Sequence, residues 1–167
     1  MEKTIQFIKQ MLKKKIINDY AVGGAMALAF YTEPAVTFDL DVFVFLSPTQ
    51  QTKILLSLAD IYDYCKSQQC KIENAHIMIA GIPVQFLPAH NPLIEEAVRQ
   101  AVVKKISKTN VRVIALEYLM AIALQTGRAK DKVRVLQISE ENNYDKKVFK
   151  EVLHKYNLLT AWRELAK

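Results

Sequence analysis

The run Asp39-Leu-Asp-Val-Phe-Val-Phe-Leu46 constrains the fold most, because it is apolar at every position except its two aspartates. A half-buried strand alternates polar and apolar residues, whereas a strand that is apolar on both sides is buried on both faces. Strands of that kind usually lie in the interior of a sheet, beneath helices. The run therefore predicts a central strand at 39–46 in a chain that contains both sheet and helices.

Patterns on either side of this strand predict further helices and strands. Helices are predicted at residues 2–16, at 25–30, from Ser47-Pro48 to about Tyr64, and from Asn91-Pro92 to about Val103. Strands are predicted at 20–22, 76–80, 82–87 and 111–114. After Ala115 the periodicity is helical, at 116–126, 129–139, 145–155 and 158–166.

This order of elements indicates an α+β protein, with a mixed sheet flanked by helices and a C-terminal helical bundle. We place the α/β core at residues 1–114 and a C-terminal helical region, packed on that core, at 115–167. No apolar run approaches the roughly 20 residues that span a bilayer, so no membrane partner is expected. Two cysteines, Cys65 and Cys70, are too few for a disulfide framework and are expected to be free thiols of a cytoplasmic protein.

Positive charge is concentrated in one part of the chain. The net charge is +6, and the segment Arg99–Arg134 alone holds nine basic residues and two acidic ones. A basic stretch of this kind binds nucleotide phosphates or nucleic acid, or forms a solvated helix face. Composition does not decide between these two interpretations.

The pair Gly23-Gly24 lies between a predicted strand and a predicted helix. Glycines at such a turn allow the backbone to approach a phosphate closely, and the start of the helix offers free N–H groups. Glycine pairs also form ordinary turns, so this feature alone is weak evidence for a phosphate site.

Asp39 and Asp41 are two residues apart on the predicted strand, so their side chains project from one face. At a separation of about 6–7 Å and an effective dielectric near 20, two carboxylates repel each other by roughly 2–3 kcal/mol. A divalent cation between them removes this repulsion, and hard oxygen ligands with open positions suit Mg²⁺ held jointly with substrate phosphates. The alternative is structural, with Asp39 capping a turn and Asp41 exposed to solvent.

Taken together, these motifs resemble the signature of the nucleotidyltransferase superfamily, which has the polymerase-beta-like fold. The resemblance rests on Val22-Gly-Gly24 before a short helix and on Asp39-Leu-Asp-Val42 at the start of the next strand. The later segment from Leu116-Glu117 to Gly127-Arg-Ala-Lys-Asp131 is similar to a helical stretch of small bacterial members, those grouped with the AbiEii/AbiGii toxins. The resemblance covers about residues 18 to 137.

The resemblance implies a function and a set of site residues. It implies that Asp39 and Asp41 are catalytic and hold Mg²⁺ or Mn²⁺, together with Gln85 on the third catalytic strand. It implies that the protein binds an NTP through five further residues: Gly23, Gly24, Thr37, Arg128 and Lys130. The implied reaction moves an NMP from the NTP to an acceptor hydroxyl on RNA such as tRNA, on a protein or on a small molecule. A toxin–antitoxin relationship is also implied.

Several charged positions of the family pattern are changed in this chain. Gln85 stands where the family usually carries a third carboxylate, and a glutamine amide cannot act as a base. Ala35 and Ala123 replace basic residues, and Arg134 replaces an acid. These changes favour an alternative function, a non-catalytic module that keeps the fold and binds nucleotide, RNA or a partner protein.

The remaining candidates are interpreted as structural. The histidines His76, His90 and His154 share no spacing and are expected at the surface. Glu117 is expected to support the fold rather than the chemistry, and Trp162 is expected in the core.

Overall fold

The strand at the centre of the fold is β2 (Leu40–Phe45), where the apolar run predicts it. A computed structural model of the protein describes residues 1–32, 39–46, 58–141 and 143–167. In β2, Leu40, Val42 and Val44 are completely buried, and Phe43 is nearly so. Burial of both faces explains why this segment lacks the polar alternation of a half-exposed strand.

The other elements follow the predicted order. In the described residues they are α1 (Glu2–Lys13), β1 (Asp19–Val22), α2 (Gly24–Leu28), β2, α3 (Ala59–Ser67), β3 (Lys71–Glu73), β4 (His76–Ile79), β5 (Ile82–Pro88), α4 (Pro92–Arg99), β6 (Val102–Ile106), β7 (Thr109–Val113), α5 (Leu116–Thr126), α6 (Ala129–Glu141), α7 (Lys146–Lys155) and α8 (Leu159–Leu165). The last four helices agree with the predicted helical third of the chain.

The seven described strands form one mixed sheet in the order β3-β4-β5-β2-β1-β7-β6. The pairs β2–β5 and β1–β7 are parallel, and the remaining neighbours are antiparallel. Helices α2 and α4 contact β2, and α1 contacts β7. The prediction of an α+β fold with a mixed sheet and helices at the C-terminus is confirmed. The division at residues 114 and 115 stays a prediction.

A polar cluster joins the C-terminal helices to the helix that follows β5. The Glu96 carboxylate on α4 accepts hydrogen bonds from the Tyr118 hydroxyl (3.2 Å) on α5 and from the Tyr156 hydroxyl after α7. Lys155 Nζ lies 2.7 Å from the same carboxylate. These contacts hold the pKa of Glu96 below its ordinary value despite its partial burial. The cluster therefore fixes α5 and α7 against α4.

Two sequence-based assignments are wrong. The helix predicted to run to about Val103 ends at Arg99, and the apolar residues after it form β6, which pairs with β7. The periodicity of a helix continues by chance into Val102 and Val103, but their branched side chains suit a strand. The short strand β3 was also missed, because Lys71-Ile-Glu73 has only one apolar residue. The predicted helix start at Ser47-Pro48 lies outside the described residues.

None of the described helices combines the length and the apolar character needed to cross a bilayer.

The turn between β4 and β5 gives a test of the local backbone. Ala80 and Gly81 have φ values of +52° and +81°, and the strands close with Ile79 opposite Ile82. Positive φ at both residues is the pattern of a type I′ hairpin, for which Asn-Gly is the preferred pair. Alanine strains this backbone, because its Cβ crowds the following carbonyl oxygen in the left-handed region.

We expect Ala80→Asn to raise the free energy of unfolding by about 0.5–1 kcal/mol, because asparagine tolerates the left-handed conformation better than alanine does. Urea denaturation measures the change. Ala166→Asn, at an exposed residue with a φ of −88°, is the control and should stay within about 0.5 kcal/mol of the natural protein. A loss of stability in Ala80→Asn would contradict the assigned turn geometry.

Candidate active site

The glycine turn after β1 is packed directly against an aspartate of β2. The Gly23 N–H donates a hydrogen bond of 2.9 Å to the Asp41 carbonyl oxygen, which ties the turn to the neighbouring strand. Gly24 has a φ of +61°, and a Cβ added there would lie 1.9 Å from Asp41 Oδ2. Only glycine fits this position, because any side chain would collide with the carboxylate and would also strain the backbone.

The structure brings the predicted acids and the predicted amide together. Asp41 on β2 is directly opposite Gln85 on β5 in the parallel register. Asp39 lies one residue before β2 begins. These three side chains and Gly24 border one cavity of about 1120 Å³. The metal-binding and catalytic roles of these residues stay predictions.

Burial and charge act in opposite directions on Asp41. Burial, and to a smaller extent the neighbouring Asp39 carboxylate, raise the pKa of Asp41 above its ordinary value. The positive charges of Arg128 and Lys130, and that of His76 when it is protonated, partly offset this increase. The half-buried acid therefore lies in a place where added positive charge is favourable.

Positive charge also borders the cavity. Its lining includes Arg128, directly before α6, and Lys130 and Arg134, both on α6. Arg128 Nε is 2.6 Å from Oδ2 of the buried Asp131, while most of the Arg128 side chain stays exposed. The ion pair holds the guanidinium group at the cavity without removing it from solvent. The two predicted phosphate-binding residues, Arg128 and Lys130, thus face the same space as the acids.

The rest of the basic stretch has other surroundings. Arg112 donates hydrogen bonds to the Tyr20 and Val98 carbonyl oxygens and lies 3.2 Å from Asp19. Lys104 Nζ lies 4.6 Å from the centre of the Tyr31 ring. These two residues lie on strands and contact other parts of the protein, so the interpretation as a solvated helix face does not describe them. Phosphate binding by the stretch stays a prediction.

His76 is a residue of the site that sequence reasoning missed. It was expected to be an unremarkable surface histidine, but it borders the cavity, with Nε2 3.7 Å from Asp39 Oδ2. The signal was present in the predicted hairpin. His76 and Gln85 lie four residues before and after the turn Ala80-Gly81, which makes them cross-strand neighbours.

The remaining candidate residues make structural contacts, border the cavity without a predicted role, or lie outside the described residues. Thr37 lies outside the described residues. Glu117 accepts a hydrogen bond of 2.8 Å from the Asp145 N–H, in agreement with a structural role. Trp162 is only partly buried and packs edge-on against Phe149. His90, which also borders the cavity, has Nδ1 3.0 Å from the Pro88 carbonyl oxygen.

Both cysteines are free thiols, as predicted.

The donor atoms fit a divalent cation. Within the described ranges, no group of three His, Cys, Asp or Glu side chains already has a metal-holding arrangement. Mg²⁺ does not require such a group, because it is commonly held by one or two carboxylates together with substrate phosphates. Asp39 and Asp41 supply two carboxylates, and Gln85 supplies an amide oxygen beside them.

Comparison with solved structures identifies the fold. The chain is similar to the crystal structure of an antigenic nucleotidyltransferase-like protein from Paracoccidioides brasiliensis, with a TM-score of 0.56 over 82% of this chain and 72% of that one. The fold is nucleotidyltransferase-like. The sequence identity is 13%, so the similarity concerns architecture.

A second solved structure aligns over more of the chain. The solution structure of the antibiotic-resistance factor ANT(2'')-Ia aligns with a TM-score of 0.46 and 11% identity, over 98% of this chain and 94% of that one. No protein-family model matches the sequence, and no curated protein matches it.

The packing of Gly24 against Asp41 can be tested with a matched pair of glycine substitutions. Gly24→Ala should lower the free energy of unfolding by about 2–4 kcal/mol, because it adds both left-handed strain and a collision with Asp41. Gly127→Ala is the control, because Gly127 also has a positive φ (+70°) but an added Cβ would meet only the Leu124 carbonyl oxygen, at 3.9 Å, beyond its own chain neighbours. It should lose only about 1 kcal/mol, through strain alone. Equal losses in urea denaturation would contradict the close approach of Gly24 to Asp41.

The raised pKa of Asp41 gives a pH-dependent test in metal-free buffer. Below the ordinary value of 3.8, Asp41 is protonated in both the folded and the unfolded chain and contributes nothing. Above the raised pKa the folded protein holds an unfavourable charge, so stability falls as the pH rises through this interval. Asp41→Asn should therefore increase the free energy of unfolding at pH 7 and leave it unchanged at pH 3.

The control for this test is Asp63→Asn, which removes the same charge from an exposed position on α3. It should change stability little at either pH. A loss of stability in Asp41→Asn at pH 7 would show that the carboxylate is not under the expected strain.

Proposed function

We propose that the protein is a metal-dependent nucleotidyltransferase that moves an NMP from an NTP to an acceptor hydroxyl. The observation that carries the proposal is the direct pairing of Asp41 with Gln85 beside the close-packed Gly24. Arg128 and Lys130 border the same cavity. Carboxylates and cations that line one cavity suit a metal-bound triphosphate, because the carboxylates pair with the metal ion and the cations pair with the phosphates.

In this proposal Asp39, Asp41 and Gln85 hold Mg²⁺ or Mn²⁺. A bound cation would neutralise the charge that develops during the displacement and would align the reacting groups. The glycine turn binds phosphate oxygens through the backbone N–H groups from Gly24 onward, since the Gly23 N–H is already donated to the Asp41 carbonyl oxygen. Arg128 and Lys130, which border the same cavity, bind the phosphates through their positive charges. Thr37 joins the nucleotide or acceptor site on the strength of the family resemblance.

The transfer step forms one bond and breaks one bond. The acceptor oxygen attacks the α-phosphorus, and the bond between that phosphorus and the bridging oxygen breaks, so pyrophosphate leaves with the electron pair. The proton of the hydroxyl must pass to a base. Gln85 cannot accept it, and general-base assistance is typically worth about 10²–10⁴-fold in rate. We therefore propose that transfer is slow.

The acceptor is RNA such as tRNA, a protein side chain or a small molecule. The resemblance to the AbiEii/AbiGii toxins favours a prokaryotic toxin–antitoxin system and a cytoplasmic site of action.

The second candidate function is a non-catalytic module that binds nucleotide, RNA or a partner protein. The amide at Gln85 is the observation that favours it, because this position of the cavity holds no carboxylate. The retained pair Asp39 and Asp41 opposes it, since a module without a cation gains nothing from two adjacent acids.

Two measurements test the proposal. First, the melting temperature is measured with Mg²⁺ and each of the four NTPs. An NTP that binds the native state should raise the melting temperature, by an amount equivalent to about 2.7 kcal/mol at a hundredfold excess over Kd. Asp41→Asn should abolish this increase. Second, α-labelled NTP is supplied with bulk tRNA, with the protein alone or with small amino sugars, and label transfer is followed.

Gln85→Asp should raise the rate of transfer by about 10²-fold or more, because it restores a carboxylate that can accept the hydroxyl proton. Gln85→Ala should not raise it. Gln68→Asp adds the same charge at an exposed residue and is the control.

The outcomes separate the two functions. Stabilisation by NTP without transfer in either the natural protein or Gln85→Asp would select the non-catalytic module. An unchanged melting curve with all four nucleotides would remove both nucleotide-binding functions.

A further inference from the structure

A histidine stands beside the amide that replaces the third carboxylate. Ile79 is opposite Ile82, and Ile77 is opposite Val84, so the next step of the β4–β5 register brings His76 opposite Gln85. Gln85 is itself opposite Asp41. Directly opposite residues project from the same face of a sheet. A row of potential ligands, Asp41, Gln85 and His76, therefore crosses three adjacent strands.

The distance between the His76 and Asp39 side chains bears on whether they can bind one cation together. Nε2 lies 3.7 Å from Asp39 Oδ2, which is longer than the roughly 2.7–3.2 Å of a direct N–H···O hydrogen bond. Two donors that each lie about 2.0–2.2 Å from one cation are separated by at most about 4.4 Å. The observed separation falls within that range. The side chains are thus too far apart to bind each other tightly and close enough to share an ion.

We infer that His76 is a nitrogen ligand of the divalent cation, completing the set of Asp39, Asp41 and Gln85. This inference rests on the proposed function and deepens it. Since no three such side chains in the described part of the chain already have a metal-holding arrangement, and Asp41 is packed against Gly24, closure of the set requires rotation of the His76 side chain. His76 is only partly buried and borders the open cavity.

An imidazole ligand changes which cation is preferred. Mg²⁺ is a hard cation that binds oxygen ligands, whereas imidazole nitrogen suits first-row transition ions, whose affinity increases from Mn²⁺ to Co²⁺. The protein should therefore bind Co²⁺ and Mn²⁺ more tightly than Mg²⁺, and the difference should depend on His76.

The inference is tested by binding measurements on the full chain. Calorimetric titration with MnCl₂, CoCl₂ and MgCl₂ is performed with and without a non-hydrolysable NTP analogue. His76→Ala should weaken Mn²⁺ binding by at least about tenfold, since loss of even an indirect metal partner typically costs 10–100-fold. Mg²⁺ binding should change much less. Pulsed electron paramagnetic resonance of bound Mn²⁺ should detect a coordinated nitrogen that His76→Ala removes.

Two control variants and one rescue variant sharpen the test. His90→Ala removes the other histidine that borders the cavity, and His154→Ala removes an exposed histidine on α7. Both variants should keep the signal of the nitrogen coordinated to Mn²⁺ and should still bind Mn²⁺ more tightly than Mg²⁺. His76→Gln keeps a hydrogen-bond donor toward Asp39 but has no imidazole, so it should not restore Mn²⁺ binding. Full restoration would show that His76 positions Asp39 instead of binding the ion.

The remaining outcomes distinguish the inference from the proposed function. If Mn²⁺ binds without nitrogen coupling, and Asp41→Asn still abolishes binding, the ligand role of His76 is overturned and the proposed function stands. If no cation binds with or without the nucleotide analogue, the inference and the proposed metal-dependent transfer both fail. A nitrogen signal lost in both His76 variants and kept in His90→Ala and His154→Ala, without label transfer to any acceptor, would support His76 as a ligand and contradict the proposed enzyme.

Discussion

The close approach of Gly24 to the Asp41 carboxylate is the contact on which the candidate site depends. The hydrogen bond from the Gly23 N–H to the Asp41 carbonyl oxygen joins the turn to β2, and the missing side chain at Gly24 lets the acid lie against the backbone. This packing half-buries Asp41, and the burial in turn raises its pKa. The same contact therefore fixes the acid in place and makes it receptive to positive charge.

Acidic and basic side chains reach the cavity from two kinds of structure. Asp39 and Asp41 lie beside and on a central strand, whose backbone is held by neighbours on both sides. Arg128 and Lys130 lie directly before α6 and on it, and Arg128 is held there by its ion pair with the buried Asp131. The sheet therefore supplies the two predicted acids, and the helical part of the chain supplies the two predicted cations.

Much of this arrangement could be predicted from the sequence, and the reasons are local. Burial of β2 follows from its apolar residues, and the helices after Ala115 follow from their periodicity. The edge strand at Val102–Ile106 could not be separated from the preceding helix, because its identity depends on pairing with β7. His76 was overlooked for a related reason. His76 reaches the cavity because it lies opposite Gln85 in the sheet register. The residues next to it in the sequence do not indicate such a position.

The parallel pairing of β2 with β5 has a consequence for how the protein folds. The pairs β3–β4, β4–β5 and β6–β7 are hairpins of neighbouring residues, whereas Asp41 and Gln85 meet only after the intervening chain has closed a long loop. Contacts between distant residues form slowly, because the entropy of loop closure is lost before the contact is gained. His76 and Gln85 can therefore meet in an early hairpin, while Asp41 joins them late. We therefore expect Asp41 to meet Gln85 and His76 only when the pairing of β2 with β5 completes this part of the sheet.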